Sequence, residues 1–167
     1  NGTTVRYAQL FKCEQVLRSD CNRGVSGIEG STSTAAGAAC VGEEMTVLIT
    51  GDMSFSYDVN GLSSTYLSPR FKIIVMCNGG GGIFRFIKPT SDLPELETCF
   101  EIHRDISVEK YADLFGLRYF ELNDEKSAAE VLSLFFAEKD RPAILAVHTP
   151  NVYNAEVLRG YFRRSRQ

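Results

Sequence analysis

Two short runs carry the residues best suited to chemistry. Gly51-Asp52-Met53-Ser54 closes the apolar run Thr46–Thr50, and Asn78-Gly79-Gly80-Gly81-Gly82 closes the apolar run Phe71–Cys77. If both runs are neighbouring parallel strands, a carboxylate and an amide oxygen arrive at one sheet edge. Asp52, Asn78 and a loop carbonyl are hard oxygen donors, suited to Mg²⁺ holding a phosphate group. A helix starting at Ser54 would add free backbone N–H groups for the same anion. Taken singly, Gly-Asp after a strand is a turn with a capping carboxylate, and Asn before glycines is a loop. At the ends of two consecutive strands, the metal reading is the better one.

Other motifs are absent or incomplete. There is no Gly-x-x-x-x-Gly-Lys-Ser/Thr phosphate loop. The glycine run has Phe84 where the third glycine of a dinucleotide fingerprint would fall, and Gly24-Val25-Ser26-Gly27 misses the Gly-x-Ser-x-Gly elbow. His103 and His148 have no partner at ligand spacing, and His148, ending an apolar run, reads as a packed core or edge residue.

The elements that must position these residues alternate along the chain. Strands are expected at Gln15–Ser19, Thr46–Thr50, Phe71–Cys77, Arg118–Leu122 and Ala143–His148. The second, third and fifth are nearly continuous apolar runs, as for strands covered on both faces. Helices are expected near Thr3–Lys12, Gly27–Val41, Ser54–Leu67, Val108–Phe115, Glu125–Lys139 and Ala155–Arg166. Glu125–Lys139 is the clearest, with Ala128, Val131, Leu132, Phe135 and Phe136 on one face. The pattern implies one α/β domain: a doubly wound parallel sheet with helices on both faces and right-handed crossovers. Gly80–Glu101, with Pro89 and Pro94, reads as a long irregular loop. Ligands of such sheets sit beyond the carboxyl ends of the strands.

The 167 residues suffice for one domain with a real core, and a net charge of −3 argues against a nucleic-acid partner. No apolar run is long enough to span a bilayer. Five cysteines (Cys13, Cys21, Cys40, Cys77 and Cys99) form no Cys-x-x-Cys pair, which points to a reducing cytoplasm rather than a disulfide framework. The chain opens at Asn1 without Met or signal peptide, as a segment that begins inside a longer protein would. Arg159, Arg163, Arg164 and Arg166 complement the dipole of the last helix and need no ligand.

Gly51-Asp52, 25 intervening residues and Asn78 resemble the thiamine-diphosphate motif, with Cys77 in place of the first of its two closing asparagines. Further blocks narrow the resemblance: Asn22-Arg23-Gly24-Val25-Ser26-Gly27-Ile28-Glu29-Gly30 with Ser33-Thr34-Ala35-Ala36-Gly37, the run from Gly51 to Leu62, and Gly80-Gly81-Gly82-Ile83-Phe84. With Asn1–Arg6, they are similar to the 2-succinyl-5-enolpyruvyl-6-hydroxy-3-cyclohexene-1-carboxylate synthase family of menaquinone biosynthesis. Glu29 stands where that family usually has Asp, and Gly2 where it has Ser, with Thr3 as a substitute hydroxyl.

The resemblance implies the diphosphate-binding domain of an enzyme using thiamine diphosphate with Mg²⁺, or Mn²⁺ in its place. Asp52, Asn78 and the Gly80 carbonyl would ligate the metal, and Gly51, Met53 and Ser54 would cradle the diphosphate. Ile28 would prop the cofactor into its bent shape, and Ile83, Phe84 and Ile87 would wall the substrate. Arg6 and Arg23 would bind the carboxylates of isochorismate and 2-oxoglutarate, both dicarboxylates. A pyrimidine-binding domain from a neighbouring subunit, in a homodimer or homotetramer, would supply the activating glutamate, so the fragment alone is expected to turn over negligibly. An acetolactate-synthase-like enzyme and a non-catalytic domain that kept the fold are the competing readings. Retention of Asp52 and Asn78 argues against the latter.

Overall fold

The computed structural model describes residues 2–11, 14, 16–25, 27–101, 104 and 106–164. Asn1, Lys12, Cys13, Gln15, Ser26, His103 and Arg166, named above, lie outside them. Four parallel strands, β1 (Thr46–Gly51), β2 (Phe71–Cys77), β3 (Arg118–Leu122) and β4 (Ala143–His148), form a sheet in the order β1-β2-β4-β3. Seven α-helices are described: α1 (Gly2–Ala8), α2 (Ser31–Val41), α3 (Asp52–Tyr57), α4 (Gly82–Phe86), α5 (Val108–Phe115), α6 (Ala128–Ala137) and α7 (Asn151–Arg164). The register sets Gly51 beside Met76 and Cys77 beside His148, so all four strands end along one edge.

The helices divide between the faces. Ala36 and Ala39 of α2, Phe55 of α3, and Val108 and Ala112 of α5 pack with Leu48, Phe71, Ile73, Val75, Ile144 and Ala146. On the other face, Phe135, Val131 and Leu132 of α6 pack with Ala143, Leu145, Ile74, Phe120 and Val147. The run of completely buried residues in β4 follows from cover on both sides.

β1 departs from the expectation for a strand covered twice. Val47 and Ile49 are 41% and 49% exposed, because β1 is the sheet edge among the described residues and α6 packs chiefly on β3 and β4. The strand expected at Gln15–Ser19 does not form over its described residues. Val16 and Leu17 are exposed and have no ladder to join.

Helix limits shift for local reasons. α2 begins at Ser31 rather than Gly27, because Gly30 sits at φ +80° and the Glu29 carboxylate takes the Ile28 N–H instead. The helix expected over Ser54–Leu67 breaks at Asp58 into α3 and a 3₁₀ turn, Val59–Ser63. Asp58 there serves α2, accepting the Ser33 N–H at 2.7 Å and the Ser33 hydroxyl at 2.5 Å. α1 stops at Ala8, well before Lys12. The clearest helix starts as a 3₁₀ turn, Glu125–Ser127, and ends at Ala137 instead of Lys139. α7 starts at Asn151, directly after Pro150 and four residues ahead of the expected Ala155.

Gly80–Glu101 is not irregular. It contains α4, a 3₁₀ turn (Thr90–Asp92) and a π turn (Leu96–Phe100). Each piece is too short to leave a hydrophobic period in the sequence.

Candidate functional site

The site begins with the Asp52 carboxylate, only 4% exposed at the start of α3. Its Oδ1 accepts the Met53 N–H at 2.7 Å, and its Oδ2 accepts the N–H groups of Asn78 at 2.9 Å and Gly79 at 2.8 Å. The carboxylate therefore staples the end of β2 to the end of β1. Asn78 Oδ1 in turn accepts the Gly80 N–H at 3.0 Å, closing a tight turn. The Met53 N–H, expected to face a diphosphate, is already committed to Asp52.

Asn151 at the head of α7, a residue the motifs do not mark, completes the inner wall. Its Nδ2 donates to the Gly80 carbonyl at 2.8 Å, while its Oδ1 is buried without a hydrogen-bond partner. Gly82 fills the space between: a Cβ there would stand 2.4 Å from Asn151 Oδ1 and 2.9 Å from Asn78 Nδ2. Only its place in the folded chain reveals Asn151, since its partner is 71 residues away.

These residues open on a cleft of about 960 Å³ along the carboxyl edge of the sheet. Arg6, Arg23, Ile28, Gly51, Asp52, Met53, Ser54, Asn78, Ile83, Phe84 and Ile87 all line it. Gly80 does not: it is buried behind Asn78, with its carbonyl turned to Asn151. Ser54 contributes more than backbone, since its hydroxyl donates to the Ile28 carbonyl and ties Ile28 to α3. Phe100, Thr149 and Tyr153 join the lining without a signal in the sequence.

His148 lies at the edge of the sheet rather than in the core. It lines the cleft, and its Nε2 lies 3.0 Å from Glu121 Oε1 with both side chains 45% exposed. Arg159 does more than complement a dipole, for its Nη2 donates to the Arg85 carbonyl at 2.6 Å. Arg163 and Arg164 occupy the last turn of α7.

The charge balance suits a cation. Asp52 forms no ion pair among the described residues, and a buried carboxylate is ordinarily paired or bound to metal. No cluster of three His, Cys, Asp or Glu exists among the described residues, so amide and carbonyl oxygens would have to complete the set. Such a set is hard and fits Mg²⁺. Burial, and then the Asp52 charge, push the Cys77 thiol up to about 12, so Cys77 stays protonated at neutral pH.

A parallel α/β sheet with a carboxylate and an amide at adjacent strand ends, above an apolar cleft, defines a cofactor-binding domain of the diphosphate type. The chain belongs to the thiamine pyrophosphate enzyme family, as its C-terminal TPP-binding domain, whose model matches residues 2–147. It is 48% identical over 97% of its length to the 2-succinyl-5-enolpyruvyl-6-hydroxy-3-cyclohexene-1-carboxylate synthase of Porphyromonas gingivalis. The synthases of Christiangramia forsetii (41% over 97%) and Bacteroides fragilis (35% over 98%) are similar relatives. The chain spans 28% to 30% of the length of these curated relatives. Among solved structures, the Rhodococcus jostii RHA1 thiamine diphosphate-dependent 4-hydroxybenzoylformate decarboxylase matches 70% of this chain and 22% of its own, with a TM-score of 0.58 at 24% identity. That likeness concerns the fold. No helix among the described residues is long and apolar enough to cross a membrane.

Proposed function

We propose that the chain is the diphosphate- and metal-binding domain of a 2-succinyl-5-enolpyruvyl-6-hydroxy-3-cyclohexene-1-carboxylate synthase, joining 2-oxoglutarate, with loss of CO₂, to isochorismate. The observation that carries this reading is that Arg6 and Arg23, from separate segments, line the same cleft as Asp52 and Asn78. Two guanidinium groups beside a metal-type site suit dicarboxylate substrates better than pyruvate.

Asp52 and Asn78 would hold Mg²⁺ or Mn²⁺, with the Gly80 carbonyl as a third donor through its second lone pair. Gly51 and the Ser54 N–H would face the diphosphate, while Ile28, held by the Ser54 hydroxyl, would support the bent cofactor. Thiamine diphosphate, when bound, supplies the carbanion chemistry of decarboxylation and carbon–carbon bond formation. This chain's side chains orient the substrates: Arg6 and Arg23 bind carboxylates, and Ile83, Phe84 and Ile87 exclude water from the reacting carbon. The activating glutamate belongs to a pyrimidine-binding domain of a neighbouring subunit, in a homodimer or homotetramer, so the isolated chain is expected to be inactive. The four described cysteines are all free, in keeping with a cytoplasmic enzyme.

The test uses the full-length parent with thiamine diphosphate and Mg²⁺, offered isochorismate plus 2-oxoglutarate. Consumption of both with CO₂ release, abolished by Asp52→Ala, is the expected result. Inertness toward that pair combined with turnover of pyruvate would replace the synthase by an acetolactate-synthase-like enzyme.

A further inference from the structure

The segment after β2 leaves the sheet edge and returns to rest on its own base. A Cβ at Gly81 would stand 2.5 Å from the Phe100 carbonyl oxygen and 2.7 Å from Glu101 Cα, so the returning backbone lies directly on Gly81. A fork clamps this return. Arg85 Nε donates to Glu101 Oε1 at 2.8 Å, and Nη2 donates to Oε2 at 2.5 Å. The Glu101 side chain is fully buried and that of Arg85 is 17% exposed. Glu97 also accepts from Arg85 Nη2, at 2.9 Å.

Nothing in the metal or diphosphate site calls for this pair. A buried ion pair is a weak source of stability, since its desolvation offsets much of its attraction. Its geometric effect is specific: it fixes the residue beside Glu101. Phe100 lies with its ring centroid 5.4 Å from that of Phe84, tilted by 58°, and both rings line the cleft.

We infer that Phe100 is a further wall of the substrate pocket and that the Arg85–Glu101 fork is the positioning device that sets it against Phe84. The inference rests on the synthase reading and deepens it. The arginines recognise carboxylates, while the Phe84–Phe100 pair recognises the carbon skeleton between them and keeps water off it.

The test compares Phe100→Ala, Phe100→Leu, Glu101→Gln and the double variant Phe100→Ala/Glu101→Gln in the full-length parent with cofactor and Mg²⁺. Loss of one apolar wall is expected to raise the KM of the 2-oxo acid about tenfold. The kcat should stay within about threefold, the signature of lost ground-state binding. Calorimetric affinity for thiamine diphosphate should not change, and Phe100→Leu should recover most of the KM. Because Glu101 acts through Phe100, the double variant should be no worse than Phe100→Ala alone. If Glu101→Gln does not fold, Arg85→Lys takes its place, keeping the charge and losing the fork. An unmoved KM in Phe100→Ala, or additive effects in the double variant, overturns the inference. Failure of the parent on isochorismate plus 2-oxoglutarate would overturn the functional reading instead, and the same KM comparison would then be decided on pyruvate.

Discussion

Asp52, which opens α3, accepts the backbone N–H of Asn78, which follows β2, at 2.9 Å. With the N–H groups of Met53 and Gly79 on the same carboxylate, one side chain organises the ends of two strands. Asp52→Ala would leave three amides without their acceptor, at a cost of roughly 3 kcal/mol. The parent protein should show this as a lowered unfolding midpoint and should lose Mg²⁺-dependent binding of thiamine diphosphate. Retained binding would remove Asp52 from the metal site.

Gly82→Ala tests the packing of the inner wall. The new methyl would collide with both Asn151 Oδ1 and Asn78 Nδ2, so cofactor affinity should fall at least about tenfold, equal to 1.4 kcal/mol. Gly160→Ala is the control: nothing lies within 4 Å of its Cβ position, and a helix-interior alanine should be stabilising by about 0.5–1 kcal/mol. Equal effects of the two would show that the Asn78–Asn151 contact does not matter for binding.

Cys77 makes two readable predictions. Its folded pKa, raised to about 12, means that the native state keeps a proton the unfolded chain has lost. Its contribution to stability is therefore complete below the ordinary thiol pKa and disappears as pH climbs from there toward 12. Cys77→Ala should flatten that alkaline decline, measured as the difference between the two unfolding profiles. At pH 8, maleimide should label the exposed Cys21, Cys40 and Cys99 well before Cys77.

Lys72 predicts the opposite slope. The residue is 1% exposed, its Nζ donates to the Glu138 carbonyl at 2.7 Å, and burial lowers its pKa. The unfolded chain thus holds the proton more tightly, and the Lys72 contribution improves as pH rises from its lowered value toward about 10.4. Lys72→Met should abolish that rise while changing stability at pH 7 by no more than about 1 kcal/mol. A Lys72→Met profile parallel to that of the parent would refute the assignment.

The strands from Phe71 and Ala143 were legible because buried parallel strands are written as nearly unbroken apolar runs, and β2, β3 and β4 keep the expected limits. Asp52 and Asn78 were legible for the same reason, being the first polar groups after such runs. What was hidden depends on distant partners. The break at Asp58 follows from Ser33, 25 residues earlier, and the role of Asn151 follows from the Gly80 carbonyl. Phe100 gained its place through the Arg85–Glu101 fork, and no spacing rule relates those two residues. The exposed face of β1 depends on which strand sits at the sheet edge, and an apolar run alone does not reveal order.

Because the polypeptide between Gly81 and Phe100 departs and re-enters at one spot, its two ends are anchored independently of its middle. Residues could be inserted near Pro94, beyond the Thr90 hydroxyl that holds the Phe84 and Ile87 carbonyls, since the entropy of closing a loop grows only slowly with its length. The cleft thus carries an exchangeable cassette, a place where related proteins can change what the pocket admits while leaving the turn at Asn78 as it is.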